Sequence, residues 1–326
     1  MKLSTLLQGR RGSTTTFIPR SRTRGVVYGL IGAVLFGSGA PLSKLVGEVD
    51  HLVLSVLVYV GAAIGLSVIT LLRPGRWRTM PQLSRADLPL ISILVVTTSL
   101  AQLLQILGTA RVSGDIGALA LSLQLPLTAV IAVAFFRDRF NVLEVIGILV
   151  VCTGVGLFGL EPASGASDVL GMTFIGISSV AWALDSNLTQ RLSGRDPLAL
   201  ARLKAIVAAA ISLPLAALIG AEFPGDPVVL ARALGLGLVC FGIPEILIIT
   251  SIRHLGATRA EAVSATAPFA GAMIAIPALG VLPSRTTSIM AGVIAGGLWC
   301  LLHGASRMAA ERRRHGSRQA RPPSSS

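Results

Sequence analysis

Long apolar runs and short polar breaks alternate along the chain between the first 24 residues and the last 20. A helix needs about 20 mostly apolar residues to cross the hydrocarbon core of a membrane. The breaks, such as "EPASGASD" and "AEFPGDP", are rich in the Pro, Gly and Asp that are typical of loops. The pattern predicts ten transmembrane helices, over residues 26–46, 52–72, 88–109, 114–136, 141–160, 169–190, 198–219, 230–252, 257–280 and 286–304.

The composition indicates an all-α integral membrane protein. Hydrophobic residues make up 52% of the 326 residues and charged residues 13%, about half the charged share of a soluble domain. The mean hydropathy is +0.76. The net charge of +13 lies in tails and loops rather than on one face with interleaved aromatic residues, so the expected partner is the lipid bilayer and not nucleic acid. We expect the basic tails at 1–25 and 305–326 to be cytoplasmic, the second of them disordered.

The basic residues predict the orientation of the helices. With the N-terminus inside, the ten helices place 24 of the 28 Lys and Arg in cytoplasmic segments and four outside. Cytoplasmic loops carry an excess of Lys and Arg, so this split predicts an even number of spans with both termini cytoplasmic. We expect a multi-pass protein of a bacterial cytoplasmic membrane.

An internal repeat divides the spans into two sets of five. "LFGSGAPLSKL" at 35–45 aligns with "AWALDSNLTQR" at 181–191, and 110–133 aligns with 252–275, which pairs Pro126 with Pro268. Because five is odd, the second set enters the membrane inverted relative to the first. Inverted repeats are typical of secondary transporters, whose binding site lies between the halves. The predicted repeats cover residues 26–160 and 161–304.

These residues also carry a family resemblance. The first helix has an aromatic–Gly pair followed by Lys. The fourth helix runs through small residues to Pro and ends at an acidic residue. The helix after it has Gly near its start and again seven residues later. The matching positions are Phe36, Gly37, Lys44, Pro126, Asp138, Gly147 and Gly154, with Trp182 and Gln190 in the second copy. In this pattern the chain resembles the EamA branch of the drug/metabolite transporter superfamily, whose members have two inverted five-helix repeats.

The chain departs from the family pattern at a few positions. Pro283 lies near the place of the acidic residue in the second copy. The family has a basic residue early in the second helix, where this chain has Val58. In the second half the equivalent basic residue is Lys204. The resemblance implies a secondary transporter, an exporter of a small polar metabolite or amino acid that works by alternating access. The GxxxG sequences "GVVYG", "GAAIG" and "GVIAG" indicate close helix packing within the chain or between the protomers of a homodimer.

Ionisable residues within the apolar runs are the first candidates for the transport site, because Asp or Lys at a helix centre costs about 2.5–3.5 kcal/mol. Glu245 follows Pro244, which breaks the regular hydrogen bonding of its helix. We expect Glu245 to bind substrate or to couple transport to protons; pairing with Lys204 or another base, or a position near the inner interface, is the alternative. Asp185 lies four or five residues from the inner end of its helix, where lining a cavity and lying at the interface are equally good accounts.

Uncharged polar residues within the spans form a second group of candidates for substrate binding. Gln102 and Gln105 share a helix face because they are three residues apart, and hydrogen bonding between helices explains them equally well. The group consists of Gln102, Gln105, Gln124, Trp182 and Asn187.

Three prolines are predicted to bend their helices: Pro126, Pro268 and Pro244. Pro126 and Pro268 hold equivalent places in the two repeats, and we expect them to face each other across the transport path. Arg259 and Glu261 precede Pro268, and the predicted orientation puts both at the cytoplasmic mouth of that helix.

The sequence lacks the motifs of membrane-embedded enzymes and pumps. No HExxH, GxSxG or P-loop sequence occurs, and the four His and three Cys have no metal-ligand spacing. We therefore expect no catalytic residues, no metal and no cofactor. A lipid scramblase or a non-transporting membrane scaffold remains the alternative to a transporter.

Overall fold

The computed structural model describes residues 21–72, 85–109, 111, 123–136, 138, 140–158, 169–218, 220–267, 269–271, 273–274, 289 and 292–304. Within these residues the chain is helical. The helices are α1 (Arg22–Ser43), α2 (His51–Leu72), α3 (Leu88–Thr109), α4 (Gln124–Phe136), α5 (Val142–Phe158), α6 (Val169–Leu192), α7 (Pro197–Leu218), α8 (Pro227–Gly237), α9 (Ile243–Leu255), α10 (Ala257–Ser264) and α11 (Gly292–Gly304).

Six helices in the described residues are long and apolar enough to cross a membrane. They are α1, α2, α3, α6, α7 and the continuous segment Pro227–Leu255 that joins α8 to α9. The helices α4, α5 and α11 are apolar but shorter. The chain is therefore a multi-pass membrane protein, and the number of ten spans stays a prediction. Pro268 and both tails before 21 and after 304 lie outside the described residues, as do 114–122, 159–160, 275–280 and 286–288 of the predicted spans.

The predicted helix at 114–136 is wrong in one respect: a turn at Leu123 precedes the helix, which begins at Gln124. Pro126 is therefore the third residue of α4. Proline fits the first turn of a helix, where its missing N–H has no partner to lose. The predicted helix at 257–280 is also interrupted, by a turn at Ala265 and Thr266.

A π-helical turn over Leu238–Gly242 joins α8 to α9 directly before Pro244. A proline within a helix cannot donate to the carbonyl four residues earlier, and its ring collides with that carbonyl. A wider turn relieves this conflict, as single π turns often do. The turn sets the direction in which α9, and with it Glu245, continues.

Gly256 makes the tight connection between α9 and α10. Its φ of +89° lies in the left-handed region, which a side chain makes unfavourable. The Gln190 side chain of α6 accepts a hydrogen bond at 2.5 Å from the Ala257 amide, the first donor of α10. The turn therefore ties the start of α10 to the end of α6.

The two halves of the chain interleave rather than pack as separate bodies. Helix α1 packs along α9, α2 packs along α7 and α8, and α3 packs along α6. The main buried cluster includes Leu66 and Leu94 of the first half with Leu188, Leu200 and Ile249 of the second. Apolar helices of both halves thus share one core.

Glycines allow backbones to meet at several of these contacts. A Cβ on Gly61 would overlap the Leu234 backbone, and one on Gly237 would overlap the carbonyl of Val58, so α2 and α8 touch directly. Gly37 has the same relation to the Ala267 carbonyl. A Cβ on Gly25 or Gly29 of "GVVYG" would overlap side chains of α9 and α10, so the close packing predicted from "GAAIG" and "GVVYG" is confirmed. Gly292 and Gly296 of "GVIAG" have no described atom within 4 Å of an added Cβ, so packing within the described chain does not explain them.

A buried ion pair joins α10 to α5. The Arg259 guanidinium donates to Glu144, whose side chain is fully buried, at 2.7 Å from Nε. Glu144 also accepts from the Asn141 amide while Asn141 caps the Glu144 amide, the reciprocal arrangement of a capping box. Asp138 lies on the loop before α5, and burial raises its pKa above the ordinary value despite the charges of Arg259 and Arg191. Arg259 thus faces protein rather than water at the mouth of its helix.

Replacing Gly237 by Ala should lower stability, because the new Cβ would push α2 and α8 apart. Overpacking of this kind costs about 1–3 kcal/mol. Gly235→Ala is the matched control on the same helix, since its Cβ meets open space. Thermal unfolding of the purified protein in detergent should show a lower midpoint for Gly237→Ala alone; equal midpoints for the two variants would contradict the close contact.

Arg259→Ala should destabilise the protein by about 3–5 kcal/mol, since it leaves the buried Glu144 carboxylate without its charged partner. Adding Glu144→Gln in the same chain should recover part of this loss, because the amide carries no charge. Denaturant unfolding of both variants measures the difference. A double variant no more stable than Arg259→Ala would refute the pairing.

Candidate functional site

Three charged side chains meet between α6, α7 and α9. The Lys204 ammonium lies 2.6 Å from Asp185 Oδ2 and 2.6 Å from Glu245 Oε1. The exposed fractions of the three side chains are 11% for Lys204, 1% for Asp185 and 18% for Glu245. We call these three residues, with Glu261, the acidic cluster.

Small side chains let α7 bring Lys204 into the bundle. Ala201, Ala205 and Ala208 are buried on the same stretch of α7, at spacings of four and three residues that share a helix face. Lys204 lies two turns beyond the first residue of α7, within the span predicted at 198–219. The sequence named Lys204 as an alternative partner of Glu245 and as the counterpart of the family's basic residue, and the structure makes the contact with Glu245.

Asp185 is held by both halves of the chain. In addition to Lys204, its Oδ1 accepts a short hydrogen bond from the Thr98 hydroxyl of α3. Two turns before Asp185 on α6, the Ser178 hydroxyl donates to the Ala101 carbonyl of α3 at 2.8 Å. Asp185 therefore lies within the helix contact, with no part of the residue exposed.

Trp182 forms an aromatic wall next to Lys204. The ring centroid lies 5.8 Å from the ammonium, within the range of a cation–π interaction. The indole N–H donates to Gln105 Oε1 at 2.8 Å, which fixes the orientation of the ring. Two of the candidates from sequence thus act together, Gln105 holding Trp182 against the charged group.

The other polar candidates have different surroundings. Gln102 is buried on α3 beside Tyr59 of α2. The Asn187 amide donates to the carbonyls of Ala183 at 2.9 Å and Thr128 at 3.1 Å, which links α6 to α4. Gln124 is the first residue of α4, and its carbonyl accepts from Thr128. Asn187 is thus a polar residue that joins two helices, whereas the contact of Gln124 lies within α4.

Glu261 belongs to the same region, although its position before Pro268 suggested the cytoplasmic mouth. Its carboxylate accepts a hydrogen bond at 2.6 Å from the hydroxyl of Ser186, the residue next to Asp185. The Lys204 ammonium and the other two carboxylates act on Glu261 electrostatically. A signal for Glu261 existed in the sequence, since it lies on the same apolar run as Pro268, but its partner is on another helix.

The acidic cluster contains three carboxyl groups and one ammonium. Two of the carboxyl groups share Lys204, and the third has a neutral hydroxyl as its hydrogen-bond partner. Charge of one sign in excess is unfavourable in an apolar bundle, so the site favours protons or a further cationic group. Among the residues that the structure describes, no group of three His, Cys, Asp or Glu side chains could hold a metal ion.

Comparison with known proteins identifies a family and a similar fold. The sequence model of the EamA-like transporter family matches residues 23–160 and again 169–303. No curated protein matches the chain. The fold is similar to that of a protein of known crystal structure, at 17% sequence identity and a TM-score of 0.74, over 88% of this chain and 99% of that one. That likeness shows the fold alone, whereas the family match covers most of the chain. The chain belongs to the EamA-like transporter family of the drug/metabolite transporter superfamily, whose members are membrane transporters and not enzymes.

Proposed function

We propose that this protein is a secondary transporter that exports a small polar metabolite or amino acid across a bacterial cytoplasmic membrane by alternating access. The acidic cluster carries this proposal. Charged side chains are unfavourable among apolar helices and therefore rare there, and those that occur usually mark a pathway or a binding site. Here Lys204 lies between two carboxylates where α6, α7 and α9 meet.

The architecture that we propose has ten spans in two inverted repeats, with both termini in the cytoplasm. The two successive family matches support two repeats. The contacts support a relation between them, since α1 packs along the eighth predicted span and α3 along the sixth. In a repeat of five spans the first span corresponds to the sixth and the third to the eighth. The contact of the first span with the eighth is therefore the counterpart of the contact of the sixth with the third. A homodimer that packs through Gly292 and Gly296 remains a further prediction.

Glu245 is the residue that we assign to proton coupling. Of the two carboxylates that hold Lys204, that of Glu245 is more exposed than that of Asp185, so a proton can reach it more readily. The charged and titratable groups around it are Lys204 of α7, Asp185 of α6, Glu261 of α10 and Tyr59 of α2. Protonation of Glu245 would release one of the two contacts of Lys204 and so loosen the junction of α7 with α9.

The transport function is tested by a ligand screen followed by flux measurement. Purified protein is screened by thermal shift against amino acids, nucleosides, sugars and cationic drugs, because a ligand that binds the folded state raises its melting temperature. Compounds that stabilise the protein are then tested as radiolabelled substrates in proteoliposomes. A protein that moves fluorescent lipid between leaflets and no solute would instead be the scramblase, and one that moves neither would be the scaffold.

Glu245→Gln should slow transport by about tenfold, equivalent to about 1.4 kcal/mol, and should abolish the dependence of the transport rate on pH. The amide keeps the size of the side chain but cannot bind or release a proton. Efflux from proteoliposomes at each pH is the measurement. Glu222→Gln, an exposed carboxylate on the loop before α8, is the matched control and should behave as the parent protein. Unchanged rate and pH profile in Glu245→Gln would exclude the assignment.

A further inference from the structure

We propose that the transported solute carries a cationic amino or guanidino group, and that Lys204 is a tethered substitute for that group, which it replaces between Asp185 and Glu245 when the transporter is empty. This inference rests on the proposed transport function and specifies its substrate. It rests on the geometry around one ammonium group and on the charge of its surroundings.

The surroundings of Lys204 have the features of a binding site for an organic cation. Two carboxylate oxygens lie 2.6 Å from the ammonium, close enough for charge-assisted hydrogen bonds. The ring of Trp182 lies 5.8 Å away and attracts a cation through its π face. Gln105 holds the ring in place, and Thr98 holds Asp185. Asp185 and Trp182 are thus preorganised by contacts that do not involve Lys204.

The excess of acidic groups selects the sign of the solute charge. Glu261 adds a third carboxyl group, 2.6 Å from Ser186, to the two that hold Lys204. An anionic solute would meet repulsion from these groups, and a neutral one would leave the ion pairs undisturbed. A cation can replace the ammonium without changing the charge between Asp185 and Glu245, and Glu261 offers the displaced ammonium another carboxylate.

A tethered cation also explains how an empty transporter can change conformation. Unpaired carboxylates are strongly unfavourable in an apolar bundle, so the empty site needs a positive charge before the helices can rearrange around it. Lysine suits this task because its ammonium is a compact charge on a flexible four-carbon chain, whereas arginine is a rigid planar fork. The solute cation and Lys204 therefore serve alternately as the counter-charge for Asp185 and Glu245.

The test uses agmatine as the cationic probe, with mannitol as a neutral and malate as an anionic solute. Melting temperatures of the full-length protein are measured across a concentration series of each compound. Agmatine should stabilise the protein and the other two should not. Stabilisation by mannitol or malate in place of agmatine would overturn the inference and leave the transport function standing, whereas a protein that transports no solute at all would overturn the proposed function itself.

Lys204→Met should bind agmatine about tenfold more tightly, because the internal competitor is gone. In proteoliposomes it should keep exchange of internal for external agmatine and lose net efflux into agmatine-free buffer, since the empty site then lacks its counter-charge. Lys44→Met, at the end of α1, is the matched control and should keep both activities. Unchanged binding and net efflux in Lys204→Met would overturn the inference, and so would loss of both binding and exchange in a folded variant.

Lys204→Arg provides a second test that keeps the charge and does not depend on the Met variant folding. A guanidinium can form paired hydrogen bonds with a carboxylate and is harder to displace. Agmatine binding should therefore weaken by about tenfold while the melting temperature of the unliganded protein is kept or raised. Agmatine binding as tight as in the parent protein would contradict a competition between residue 204 and the solute.

Discussion

The structure depends on the need to neutralise charge inside a bundle of apolar helices. Lys204 neutralises the charge of Asp185 and Glu245, which lie on two other helices and would repel each other without it. Arg259 does the same for the fully buried Glu144. In water such pairs contribute little, but away from water each partner is required by the other. The positions of α5, α6, α7, α9 and α10 are therefore linked through charge as well as through packing.

The two halves of the chain form one structure because these links cross between them. Thr98 of the first half holds Asp185 of the second, Arg259 of the second half holds Glu144 of the first, and Gly61 lets α2 meet α8 at the backbone. The π turn before Pro244 determines where α9 leaves α8 and so where Glu245 lies. In the alternating access that we propose, a movement of one half against the other must break or slide these contacts.

Family membership and the acidic cluster bear on function at different levels. The family match identifies a transporter and says nothing about its solute. The acidic cluster is the basis of our proposal for the chemistry of the solute, because three carboxyl groups and one ammonium next to the indole ring of Trp182 favour a cation. Binding sites of secondary transporters lie between repeats, and here Thr98 and Gln105 of the first half hold Asp185 and Trp182 of the second.

The sequence by itself determined the class of the protein, the places of most helices and the family, because apolar runs of about 20 residues and local glycine and proline signals depend on neighbours along the chain. It also marked Glu245, Asp185 and Trp182, since polar groups are conspicuous in such runs. The tertiary structure decided which of them meet. Asn187 joins backbones, Pro126 starts a helix, and Glu261 approaches Asp185 through Ser186 on another helix. Partners separated by 19 to 115 residues come together only through helix packing, and no local pattern records that packing.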